Sequence, residues 1–315
     1  MRLFMERSVI VNSVSGESEA ERRKDNVLRT LSKASDKAMS GFFTICGSAS
    51  IALVIVITAF LVSSGVPAIR EIGLKEFLFG KVWKPTAAEA SYGILPFILS
   101  SFYATAAAVV ISVPLGILTA VFITQFAGEK LASFLSSAVE MLAGIPSVVY
   151  GLLGMIYIVP AVRNTFGLPD GACLFAAVIV LAVMLLPSVI SVSASAIRAV
   201  PHEYTEGSLA LGADKTETIF KVILPAAKSG ISAAVVLGIG RAVGEAMAVM
   251  MVSGNVPNMP KLFGSVRFLT TAVASEMSYS SGLHREVLFS VALVLFVFIL
   301  AINLVLNLLT RKGKN

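Results

Sequence analysis

The hydrophobic positions of this chain gather into long blocks instead of alternating with polar ones. Six blocks approach or exceed the roughly 20 apolar residues that a helix needs to cross a bilayer, where no water satisfies an exposed backbone group. They run over 42–62, 94–124, 145–162, 171–197, 229–253 and 287–309. The second and fourth are longer than one crossing, which predicts tilt or an interfacial extension. The stretch 131–143 before the third block carries Glu140 and is assigned to the membrane surface. The first block follows a long polar segment and exceeds the apolar core of a secretory signal, so it reads as an uncleaved span. The expected fold is an all-α membrane protein with six transmembrane helices.

Composition strengthens this picture. Hydrophobic residues make up 56% of the 315 positions and charged residues 14%. A soluble domain carries about 25% charge to wet its surface. Lipid is therefore the expected solvent.

Charge then sets the orientation. Alternating the six spans places sixteen Lys and Arg on one side and eight on the other, with Arg241 inside a span. The rich side holds the tail 1–41, Lys130, the 198–228 connection and the C-terminus. The positive-inside rule makes it cytoplasmic, termini included. The net charge of +6 is thus a topology signal and not a nucleic-acid face. Cys46 and Cys173 fall at opposite ends of the spans, too far apart to bridge, and read as small packing residues. His202 and His284 lie on opposite sides, so no metal site suggests itself. In the outer loop 65–93, Trp83 and Tyr92 suit an interface, while Pro67, Gly73, Gly80 and Pro85 argue against a long regular element. Pro114 and Pro187 are expected to bend their helices.

The 198–228 connection is patterned. Leu209 and Leu211 precede Gly212, which suits the left-handed end of a helix. Asp214 can cap the next helix, with Glu217 completing a capping box, and Pro225 then ends or redirects it. These residues predict a helix–turn–helix knob. An ordinary loop with two surface helices is the alternative.

The same segment resembles the signature of the permeases of ATP-binding-cassette (ABC) importers: Glu-Ala-Ala, three residues, Gly, nine residues, Ile, one residue, Leu-Pro. Here it reads Glu206-Gly207-Ser208, Leu209 to Leu211, Gly212, nine residues, Val222, Ile223, Leu224 and Pro225. Gly and Ser replace the two Ala, and Val the Ile. Further stretches are similar to the phosphate-permease branch, the PstC type. They include Tyr92-Gly93-Ile94-Leu95-Pro96-Phe97, Leu142-Ala143-Gly144-Ile145-Pro146-Ser147-Val148-Val149-Tyr150-Gly151 and Gly238-Ile239-Gly240-Arg241-Ala242-Val243-Gly244-Glu245. The resemblance covers about residues 92–309.

It implies a type I importer permease with a MetI-like core at 94–309, following a cytoplasmic tail at 1–41 and a first span with periplasmic loop at 42–93. A short cytoplasmic tail, 310–315, ends the chain. It also implies that Glu203, Glu206, Gly207, Ser208, Leu209, Gly212, Ala213, Leu224 and Pro225 belong to the loop that docks on an ATPase. The implied partners are a PstA-like sister permease, two PstB-like ATPase subunits and a periplasmic PstS-like phosphate-binding protein, all at a bacterial inner membrane. The chain has no Gly-x-x-x-x-Gly-Lys-Ser/Thr loop, so ATP–Mg would bind the partner ATPase. The permease itself is expected to be non-catalytic and without a cofactor.

Arg241 and Glu245 lie mid-span, where an ionisable group costs at least roughly 2.5–3.5 kcal/mol. At i and i+4 they share a helix face and can pair. Arg241 can supply positive potential to a passing oxyanion, with Glu245 holding it; a purely structural ion pair is the alternative. Gly240 and Gly244 suit close helix packing. Ser147, at a helix start, either touches the anion or faces a neighbouring helix. Sulfate or molybdate is the nearest alternative substrate. An ion-gradient symporter would show inverted repeats and several intramembrane carboxylates, and a membrane scaffold would leave Arg241 without a purpose.

Overall fold

The computed structural model describes residues 39–312, with side chains to Val305 and at Leu308. The tail 1–38 and its basic residues lie outside the described residues. The chain falls into two compact units, one ending at Phe60 and one beginning at Leu61.

Helix α1 runs Met39–Ile72. It passes through Pro67, which the sequence reading placed in an irregular loop, and ends where Gly73 takes φ 93°. The outer loop holds the short α2 (Leu74–Phe79) and a two-residue hairpin, β1 (Trp83–Lys84) paired antiparallel with β2 (Ser91–Tyr92). Helix α3 (Leu95–Val121) continues through a π turn to Phe126, unbroken by Pro114. After α4 (Glu129–Ala143), a break at Gly144 separates the next span. That span is α5 (Ser147–Leu153), a π turn and α6 (Val159–Phe166). Helix α7 (Leu174–Arg198) also runs uninterrupted through its proline, Pro187.

The cytoplasm-assigned connection forms α8 (His202–Ala210), α9 (Lys215–Thr218), a π turn and α10 (Leu224–Ala226). Then follow α11 (Lys228–Gly244), α12 (Met247–Val252), α13 (Leu269–Glu276) and α14 (Gly282–Lys312). Among the described residues, five helices are long and apolar enough to cross a membrane: α1, α3, α5–α6, α7 and α14. The sixth crossing, expected over 229–253, has no single helix of that length. The 17 residues of α11 rise about 26 Å, short of the roughly 30 Å of hydrocarbon. A 68° bend joins α11 to α9–α10. At its far end the helix stops at Gly244, and α12 starts at Met247 after two intervening residues.

Helix α7 is central: 61% of its most apolar window is buried, against 33% or less in α3, α5–α6 and α14. Helices α3, α11 and α12 pack on it. Lipid is as apolar as Leu, so close packing must hold these helices together. Gly151 on α5 shows how tight it is, since a Cβ there would lie 2.8 Å from the Ala248 Cα of α12. Two satellite clusters flank the core. The outer one gathers Phe77, Trp83, Tyr92, Ile94, Phe97 and Leu288; the inner one joins Ile123, Val139 and Ile197 to Ile219 and Ile223. Cys173 is buried, whereas Cys46 is exposed.

Candidate coupling knob and translocation site

The knob is built in two layers. Its second helix is anchored: Ile219 and Ile223 are buried in the inner cluster, and Lys215 lies 5.1 Å over the ring of Phe126. Asp214 caps α9 by accepting the Glu217 N–H at 2.7 Å, while Glu217 accepts the Asp214 N–H at 3.4 Å. Glu217 also accepts from Lys221 at 2.9 Å. That hydrogen bond first, and the Asp214 amide second, hold its carboxyl below the usual value of 4.5.

The first helix, α8, buries no residue. The pair Ser208 Oγ and Thr218 Oγ1, 2.9 Å apart, and the bond from Ala213 N to Ser208 O at 3.2 Å hold it to α9. Gly212 makes the turn at φ 91°, and Leu211 is 91% exposed. An open groove of about 590 Å³ lies along this surface, lined by Glu203, Tyr204, Gly207, Ser208, Leu211, Ala213 and Glu217 among others. Glu206 and Leu209 are exposed on α8 outside the groove. Leu224 packs on the inner cluster and Pro225 is exposed in the first turn of α10. As expected from Pro225, the helix ends one residue after it, at Ala226, and the 68° bend follows at Ala227.

Arg241 and Glu245 do not pair. Glu245 lies beyond the end of α11 in an extended conformation (φ −71°, ψ 128°), which removes the helical i, i+4 geometry. The half-buried Arg241 donates from Nη1 to Ser188 Oγ on α7 at 2.9 Å. Glu245 Oε1 accepts the Ala248 N–H at 3.0 Å, placing a carboxylate at the start of α12, where helix amides favour negative charge. Its carbonyl accepts from Thr270 Oγ1 at 2.7 Å. Ser147 opens α5, half-buried, and its hydroxyl forms no hydrogen bond with either charged residue. A Cβ at Gly240 or Gly244 would meet no other part of this chain within 4 Å.

The side that the charge pattern assigns to the outside holds a cluster that the sequence reading missed. Glu276 is 5% exposed and accepts from Trp83 Nε1 at 3.2 Å, from His284 Nε2 at 2.9 Å and from Arg267 Nη1. Arg267 Nε also donates to the carbonyl of Asn255, at 3.0 Å, in a turn where Asn255 takes φ 51°. Trp83 and Glu276 are 193 positions apart, so no local spacing announces them.

Comparison with known proteins matches these features to one family. Residues 112–313 match the model of the binding-protein-dependent transport system inner membrane component. A probable ABC transporter permease, YqgH of Bacillus subtilis, is 39% identical over 86% of this chain and 89% of its own. The phosphate transport system permease PstC of Pasteurella multocida is 32% identical over 75% of this chain and 79% of its own. Among solved structures, the inward-facing MetNI methionine ABC transporter aligns at 23% identity with a TM-score of 0.54, over 70% of this chain and 94% of that one. A bacterial alginate ABC importer aligns at 14% identity with a TM-score of 0.54, over 85% and 95%. These structures share the fold. The chain is a multi-pass membrane protein that belongs to the family of binding-protein-dependent transport system inner membrane components.

Proposed function

We propose that this chain is the permease subunit of an ATP-driven inorganic phosphate importer, one half of a pathway completed by a sister permease. The observation that carries the coupling half of this reading is α8, presented with none of its residues buried and with Leu211 almost fully exposed. An apolar residue at such exposure on the polar side of a membrane protein fits a partner surface. A pair of cytoplasmic ATPase subunits would seat the α8–α9 knobs of the two permeases, bind ATP–Mg and hydrolyse it. The anchored second layer passes their movement to the spans through Ile219 and Ile223. Both termini then lie in the cytoplasm, and a substrate-binding protein delivers the anion on the opposite side.

Phosphate rests on the PstC relatives and on Arg241, a permanently charged donor inside a span. A divalent oxyanion cannot enter hydrocarbon uncompensated. Arg241 supplies the compensation, steadied by Ser188. The test is uptake into proteoliposomes holding the complete complex. Phosphate accumulation should require ATP inside and the external binding protein. Uptake driven by a proton or sodium gradient would overturn the reading, and uptake of sulfate or molybdate in its place would reassign the substrate.

A further inference from the structure

The outer cluster borders an open pocket of about 520 Å³, lined by Trp83, Lys84, Pro257, Arg267, Glu276 and His284 among others. Its size falls within the roughly 300–1,000 Å³ of small-ligand sites. The carboxylate on its wall is already engaged at both oxygens, because Glu276 accepts from Trp83, His284 and Arg267. The cations are not saturated. Arg267 uses Nε and Nη1 on Asn255 and Glu276, and its Nη2 has no hydrogen-bond partner among the described residues. Lys84 is exposed at the rim, and its Nζ likewise has none. Lys84 and Arg267 against Glu276 leave the lining positive before any charge on His284 is counted.

We infer that this pocket is an entry site for a tetrahedral oxyanion, held between Arg267 Nη2 and Lys84 Nζ before it reaches Arg241. A guanidinium edge with a second ammonium suits an anion with several acceptor oxygens. Position supports the assignment. Three residues after Arg267, the hydroxyl of Thr270 bonds the Glu245 carbonyl at the break between α11 and α12. The site therefore adjoins, along the chain, the segment where the charged span is interrupted. Glu276 fixes the guanidinium through Nη1 and leaves Nη2 for the ion.

This inference rests on the phosphate reading for its ligand, and one measurement separates the two. Trp83 is the only tryptophan of the chain, is 4% exposed, and donates to Glu276 on the pocket wall. Its emission reports the field in the pocket directly. The full-length chain in maltoside detergent, without added phospholipid, is titrated with inorganic phosphate at constant ionic strength, with chloride as control. A saturable change in emission is expected. Lys84→Gln should raise the half-saturating concentration about tenfold, or about 1.4 kcal/mol, and Lys84→Arg should restore it. Arg267→Gln should abolish the response with the thermal unfolding transition retained.

No saturable response to phosphate or sulfate, or one that Lys84→Gln leaves unchanged, overturns the entry site; phosphate uptake by the complex would still stand. A response to sulfate with none to phosphate, sensitive to the same substitutions, upholds the site and sinks the phosphate reading.

Discussion

At the residue scale, the separation of Arg241 from Glu245 changes what each substitution should do. If the two formed an ion pair, neutralising Glu245 would leave a charge unpaired inside a span, costing about 3–5 kcal/mol. Instead Glu245 caps α12 through the Ala248 N–H, and a Gln side chain can still accept that bond. Glu245→Gln then loses only the charge–helix term, about 0.3–1 kcal/mol, and should retain uptake within about fivefold. Arg241→Gln removes the cation itself and should reduce uptake to background. Arg241→Lys keeps the charge, but loses the planar fork that reaches Ser188 Oγ, and should fall between. Initial rates in proteoliposomes, normalised to inserted protein, check all three. Equal losses in Glu245→Gln and Arg241→Gln would restore the ion pair.

At the element scale, the knob shows how much was written locally. Gly212 at φ 91° has no atom within 4 Å of a Cβ position, so Gly212→Ala meets no clash and isolates the backbone term, about 1–2 kcal/mol. Asp214→Ala removes the cap for about 0.5–2 kcal/mol. Both should speed amide exchange in α9, and leave α7 unchanged. The Glu217 carboxyl is held below its usual value, by Lys221 first and the Asp214 amide second. Its stabilising effect is therefore complete above about pH 4.5 and is lost as pH falls through the depressed value. Protection of α9 should be flat across neutral pH and decline only in acid. These features were legible because Gly212, Asp214 and Glu217 lie close together in the sequence, each acting on its near neighbours. The break after Gly244 was not, because hydropathy over 229–253 runs straight across it and its support, Thr270, lies 25 residues away. Pro67 misled for a related reason: a proline reads locally as a helix breaker, whereas α1 continues through it to Ile72. The outer cluster was invisible, since α3, α5–α6, α7 and α11–α12 all lie between Trp83 and Glu276 in the chain.

At the scale of the whole molecule, the coupling reading demands that α8 and the outer pocket face opposite sides of the membrane. With α11 and α12 counted together as one crossing, the alternation of α3, α5–α6, α7 and α11–α12 puts them there by connectivity, and α7 joins the two ends. Its inner end contributes Ile197 to the cluster with Ile219 and Ile223. Its outer end donates the N–H groups of Cys173 and Leu174 to Val252 O at 3.1 Å and Gly264 O at 3.1 Å. Which end faces the cytoplasm is the part of the proposal drawn from charge, and thiol labelling tests it. With Cys46 and Cys173 replaced by Ser, Leu211→Cys and Lys84→Cys each present a single thiol at an exposed position. A membrane-impermeant maleimide added to intact spheroplasts should modify position 84 and spare position 211. Opening the membrane should expose 211, and co-assembly with the ATPase should shield it again. Labelling of 211 from outside would put the knob where no ATPase can reach it. Labelling from inside that the ATPase never blocks would leave the orientation intact and remove α8 as the seat of coupling.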